Sequence, residues 1–227
     1  MSITERASSR QVFELLVSEL GEEESPDNYI VLFAREKGGA FTVLVSIVLS
    51  QNTNDKNSIR AFKSLSESVG VDLHSLLRAG EREIGEAIRR AGLWQQKARA
   101  IKALAELVAR MGGEAWLERE EPRKLREELL KVRGVGEKTV DVFLSFYRGT
   151  PVFAVDTHAR RIAKRWGLAR GNSYSEASRA LLHFFGPELS ERAHRLIIAL
   201  GRKYCRARAP RCAECPLGSI CPSSSRL

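Results

Sequence analysis

Leu129-Leu130-Lys131-Val132-Arg133-Gly134-Val135-Gly136-Glu137-Lys138-Thr139-Val140 carries apolar residues at helical spacing on both sides of a Gly-x-Gly turn. Two glycines two apart let the backbone bend tightly and bare its N–H groups. Those amides, with the positive end of the helix that follows, make a seat for a phosphate. A Gly-x-Gly pair alone is a weak signal, because any helix–helix turn can use glycine. Set between two helical stripes and followed by a lysine on the new helix, it reads as a helix–hairpin–helix element over about 129–147. Gly134, Val135, Gly136 and Thr139 are its candidate nucleic-acid contacts.

Working outward, helical periodicity continues nearly everywhere. Val12, Phe13, Leu15, Leu16 and Leu20 form one stripe, and Ser25-Pro26 has the pattern of a capped helix start. Gly38-Gly39 breaks that helix, and Phe41 to Leu49 is apolar all round, as a central buried helix would be. Further helices are expected over about 54–68, 82–90, 95–110, 122–131, 138–147, 157–166, 174–185 and 188–204. Only Pro151–Val155 suits an extended segment, so the fold class is all-α. Asp156 follows that segment, eighteen residues after Lys138, at a helix start where capping is its simplest task. His158 is expected to be structural. A lysine and a carboxylate near helix starts, beside a phosphate seat, also suit attack on a sugar carbon.

The chain has 227 residues, enough for one large domain or two small ones. Its net charge is +9, with 27 of the 37 basic residues Arg. Such an excess draws polyanions at long range, and the planar fork of Arg donates two hydrogen bonds to one phosphate. Nucleic acid is the leading partner. The longest apolar run, Val43 to Leu49, is far too short for a bilayer, and the opening MSITERASSR lacks an apolar signal core. No membrane and no secretion are expected, so an intracellular place is, in the cytoplasm or at the nucleoid.

All four cysteines lie near the end, as Cys205-x6-Cys212-x2-Cys215-x5-Cys221. In a reducing compartment, clustered thiols read as metal ligands before disulfides. A structural zinc site usually shows two close pairs, and only one is present here. Four thiolates in a compact loop can instead wrap a cubane, one Cys per iron, although the spacing differs from both ferredoxin patterns. Cluster and zinc both stay open on spacing alone. Arg206, Arg208 and Arg211 lie inside the first loop, where they could contact phosphates or offset thiolate charge.

Taken in order, the hairpin ending in Lys138, Val155-Asp156-Thr157-His158 and the four-Cys pattern resemble the endonuclease III branch of the helix–hairpin–helix DNA glycosylases. The likeness runs from about Ala40 to Cys221. Leu49-Ser50-Gln51-Asn52-Thr53-Asn54-Asp55 resembles the loop that fills the gap left by an extracted base. The family's gap-filling Gln aligns with Asn52, and Gln51 is its neighbour. Gly92-Leu93-Trp94-Gln95-Gln96-Lys97-Ala98 resembles the second insertion loop, with Leu93 as wedge. Arg133 replaces the family's usual Pro.

The resemblance implies a six-helix domain over 32–150 bearing the hairpin. A second helical domain would come from 1–31 and 151–227, with a [4Fe-4S] loop at 205–221. A cleft between them would hold Lys138 and Asp156. It also implies a monomer acting on damaged double-stranded DNA: a base-excision glycosylase and AP lyase for oxidised pyrimidines of the thymine glycol type. Lys138 would be the nucleophile, Asp156 would stabilise positive charge on the sugar and help proton transfer, and the four cysteines would be the cluster ligands. An ordinary lysine of pKa about 10.4 is neutral in only about one molecule in 2,500 at pH 7, so such a nucleophile requires a lowered pKa. The alternatives are a sibling glycosylase for alkylated purines or mismatched bases, or a non-catalytic iron–sulfur DNA-binding module. Adenine-mismatch members generally lack the hairpin lysine, and a binding module would need neither Lys138 nor Asp156.

Overall fold

The computed structural model describes residues 2–21 and 29–224. Among them there is no strand, and they form thirteen α-helices with short 3-10 turns. It divides into two compact units, Glu23–Arg148 and Met1–Glu22 with Gly149–Leu227.

In the first of these units, α2 (Ile30–Arg35) precedes α3 (Ala40–Ser50), and every residue from Ala40 to Leu49 is buried. A helix apolar on all sides must be surrounded. It packs against α2, α4 (Asp55–Ser68), α7 (Trp94–Arg110), α8 (Glu114–Arg119) and α10 (Glu137–Phe146). The helices α5 (Leu73–Arg78), α6 (Glu81–Ala87) and α9 (Pro122–Leu129) complete the unit. α5 and α8 have six residues each, too few turns to show a period, and the sequence stripes miss both. The Ser25-Pro26 helix start lies outside the described residues.

The other unit packs α1 (Ser9–Leu20), α11 (Thr157–Arg165), α12 (Tyr174–Phe185) and α13 (Ser190–Lys203) around Trp166, Phe153, Phe184 and Phe185. Val12, Phe13 and Leu16 of α1 are buried, whereas Leu15 is 41% exposed and leaves the stripe expected of it. The stretch Phe153–Val155 is extended and buried but pairs with no strand. Its polar groups are met by helix side chains instead. Ser178 Oγ donates to Phe153 O at 2.7 Å, and Val155 N–H donates to Tyr174 Oη at 3.2 Å. His194 Nδ1 lies 2.8 Å from Ala154 O.

Candidate active site and nucleic-acid interface

The hairpin is held by charge as well as by burial. Arg126 on α9 donates from Nε to the buried Asp141 at 2.8 Å and from Nη2 to Glu137 at 3.1 Å. These two bonds to α10 raise the Arg126 pKa, the hydrogen bond to Asp141 being the largest cause. Val132 and Val135 are buried beneath the turn. Gly134 has φ +93°, a backbone that favours glycine, and a Cβ there would crowd Ala100 Cβ at 3.1 Å. Gly136 caps α10 and brings no side chain to it, leaving the start of the helix open to an anion. Lys138 follows on the first turn of α10 and is half-buried.

The residues expected to contact DNA fall into different settings. Gln51 ends α3 and is half-buried; its amide donates to Gly134 O at 3.0 Å and to Thr139 Oγ1 at 2.9 Å. Thr139 and Val135 are buried, so neither presents a side chain to solvent. Asn52 is exposed at the loop tip with φ +51°. Leu93, 50% exposed, sits with φ +48° just before α7. A branched residue in the left-handed region is strained and persists only where its surroundings impose it. Among the described residues, the non-glycines with positive φ are Asn52, Leu93 and Ala209, one in each expected insertion loop and one in the cysteine loop.

In the other unit, Asp156 caps α11, accepting from Ala159 N–H at 2.7 Å through Oδ1. His158 Nδ1 lies 3.0 Å from Arg161 Nη2, and the ring rests on Gly201, where a Cβ would come within 2.4 Å of it. These contacts pack the ring into its own unit. Arg206, Arg208 and Arg211 are all exposed. The Arg211 fork is already closed on Glu214, at 2.8 and 2.5 Å.

Cys205, Cys212, Cys215 and Cys221 line one cavity with Trp166, Leu200, Tyr204 and Leu217. Among the described residues no three Cys, His, Asp or Glu side chains gather as a site for a metal ion. Burial pushes the Cys215 thiol up to about 11 and raises that of Cys221. Backbone hydrogen bonds from Leu217 to Cys215 and from Ser223 to Cys221 act the other way, toward thiolate. Two arginines that the sequence pattern did not reveal clasp this loop from α11. Arg165 donates to Cys205 Sγ at 3.2 Å and to Arg206 O at 2.7 Å, and Arg161 Nε donates to Cys205 O at 2.8 Å. Their i, i+4 spacing on one basic helix face was the available signal.

Residues 45–187 match the family described as HhH-GPD superfamily base excision DNA repair protein. The chain is 37% identical over 181 residues to endonuclease III of Rickettsia felis, covering 80% of this chain and 82% of that protein. Endonuclease III of Bacillus subtilis is 36% identical over 183 residues, covering 80% of each. This chain is a member of the endonuclease III family. As such it is a base-excision repair enzyme of the DNA glycosylase and AP lyase class. The family's fold agrees: a trapped endonuclease III–DNA covalent intermediate superposes with a TM-score of 0.76 at 27% identity, over 97% of this chain and 98% of that one. A non-covalent endonuclease III–DNA complex gives the same TM-score at 28% identity, with the same coverage. No helix among the described residues of this endonuclease III relative is long and apolar enough to cross a membrane.

Proposed function

We propose that the protein removes oxidised pyrimidines, of the thymine glycol type, from double-stranded DNA and cuts the strand 3′ to the resulting abasic site. The observation that carries this is Lys138, half-buried on the first turn of α10 directly behind the phosphate-seating turn Gly134–Gly136. A base inside the duplex is out of reach, so its nucleotide is flipped out at a cost of a few kcal/mol. Asn52 and Leu93, exposed at tips with left-handed backbones, fill the space left behind, while Gln51 anchors its loop to the hairpin.

The neutral Lys138 amine forms a bond to C1′ as the bond from C1′ to the base breaks, and the base leaves with a proton. Release of O4′ from C1′ gives a Schiff base. Loss of a proton from C2′ then expels the 3′ phosphate, and water frees the lysine. Asp156 stabilises positive charge on the sugar and assists proton transfer; its capping bond uses Oδ1. Arg206 and Arg208 meet phosphates on the flanking DNA.

The four cysteines fit a [4Fe-4S] cluster. They share one cavity, and hydrogen bonds from Arg165, Leu217 and Ser223 are directed at three of their sulfurs, as buried thiolates need. A cluster held by Cys205, Cys212, Cys215 and Cys221 would supply a cross-link that fixes the basic loop.

The test is borohydride trapping on duplexes carrying thymine glycol, uracil, an alkylated purine or a bare abasic site. The wild type should be trapped on thymine glycol and on the abasic site, and Lys138→Gln on neither. Trapping retained in Lys138→Gln would dismiss Lys138 as nucleophile. Trapping of the wild type on the alkylated purine instead of thymine glycol would make the protein a sibling glycosylase. No adduct with any substrate would leave a binding module.

A further inference from the structure

Lys97, in the first turn of α7, is only 2% exposed, and no step above uses it. Its Nζ donates to Leu49 O at 2.8 Å and to Ala91 O at 2.7 Å. Leu49 lies in the last turn of α3, and Ala91 ends the 3-10 turn Arg89–Ala91. Carbonyls at such ends lack an intrahelical donor, and that of Leu49 also lies at the negative pole of the α3 dipole. Water caps most helix ends at little cost, whereas burying an ammonium is expensive. That expense appears here as a Lys97 pKa lowered by burial to about 8. A single nitrogen bonded to two carbonyls does something that separate waters do not: it fixes the distance between the two helix ends.

Those ends lead directly to the loop tips. Asn52 stands three residues beyond Leu49 and Leu93 two beyond Ala91, both with left-handed backbones. We infer that Lys97 is a positioning residue that locks the Asn52 and Leu93 tips in register through the Leu49 and Ala91 carbonyls, so that both enter the duplex in one step. This rests on the gap-filling role proposed for those tips.

The experiment is a double-mutant cycle on an abasic-site duplex carrying a fluorescent base analogue opposite the lesion, whose emission rises on unstacking. Leu93→Ala, Lys97→Met and the double variant are compared in emission amplitude and single-turnover rate, with affinity for undamaged duplex measured alongside. Each single variant should lose about tenfold in rate with that affinity kept, and the double variant should lose little more than Lys97→Met alone. If instead the two losses multiply, Lys97 does not act through the tip and the inference falls. Should Lys97→Met not fold, Lys97→Gln, which keeps N–H donors on a shorter stem, enters the same cycle with the same two outcomes. A wild type that gives neither emission nor a trapped adduct would sink the proposed function. A wild type that gives both, with multiplying losses, would sink the Lys97 coupling alone.

Discussion

The side-chain amide of Gln51 donates to the hydroxyl of Thr139 at 2.9 Å, joining the end of α3 to the residue that follows Lys138. A second bond from the same amide reaches Gly134 O at 3.0 Å, on the turn itself. One glutamine therefore sets a loop expected to enter DNA against the turn expected to grip it.

Gln51→Ala removes both bonds. Each contributes about 1 kcal/mol net, so urea unfolding should show a loss of about 1–2 kcal/mol. Single-turnover cleavage of an abasic duplex should fall about tenfold, because the loop and the hairpin lose their common reference. A rate unchanged beside the expected stability loss would confine Gln51 to folding.

Asp156→Asn separates two duties. Asn caps helices as well as Asp does, so the unfolding midpoint should barely move. The negative charge is gone, and single-turnover rate should drop about a hundredfold or more with duplex binding kept. A drop in binding with normal turnover per bound protein would leave Asp156 a cap and nothing else.

The three loop arginines should not behave alike. Arg211 is paired with Glu214 through both ends of its fork, whereas Arg206 and Arg208 are exposed without such a partner in the described ion pairs. Replacing Arg206 or Arg208 by Ala should weaken duplex binding and lower the slope of log K against log salt by about 0.9 each. Arg211→Ala should change that slope little. Equal slopes for all three variants would refute a phosphate role for Arg206 and Arg208.

Lys97 gives a signed pH dependence. Its folded pKa is about 8, below the ordinary 10.5. Between those values the unfolded chain holds a proton that the folded chain lacks, so stability rises with pH across the window. The full span is worth up to about 3 kcal/mol, and it is lost as pH falls through 8. The neutral amine still has two N–H groups for Leu49 O and Ala91 O. Guanidinium unfolding of wild type and Lys97→Met from pH 7 to 10 should show their stability difference shifting toward the wild type on the alkaline side. A constant difference would mean that Lys97 keeps an ordinary pKa.

Much of this was legible in the chain. Gly134 announces a turn because its left-handed backbone favours glycine, and Phe41 to Leu49 announces a buried helix because no charged residue interrupts it. The four cysteines stand apart by chemistry alone. What was hidden depended on tertiary neighbours. In Gly92-Leu93-Trp94-Gln95-Gln96-Lys97 the lysine looks like any solvated charge; only the approach of the α3 terminus buries it. Arg161 and Arg165 look like a solvated pair until the loop folds back over them. Nor does local pattern distinguish Gln51 from Asn52, since their difference lies in which way the chain turns after α3.

The left-handed backbones at Asn52, Leu93 and Ala209 bear on engineering. Glycine would sit more comfortably at each of them. A library selected only for heat resistance would therefore enrich glycine at all three positions and produce sturdy proteins with blunted tools. Any campaign to harden this enzyme for use outside its cell should keep those three sites out of the pool, or screen every survivor for turnover.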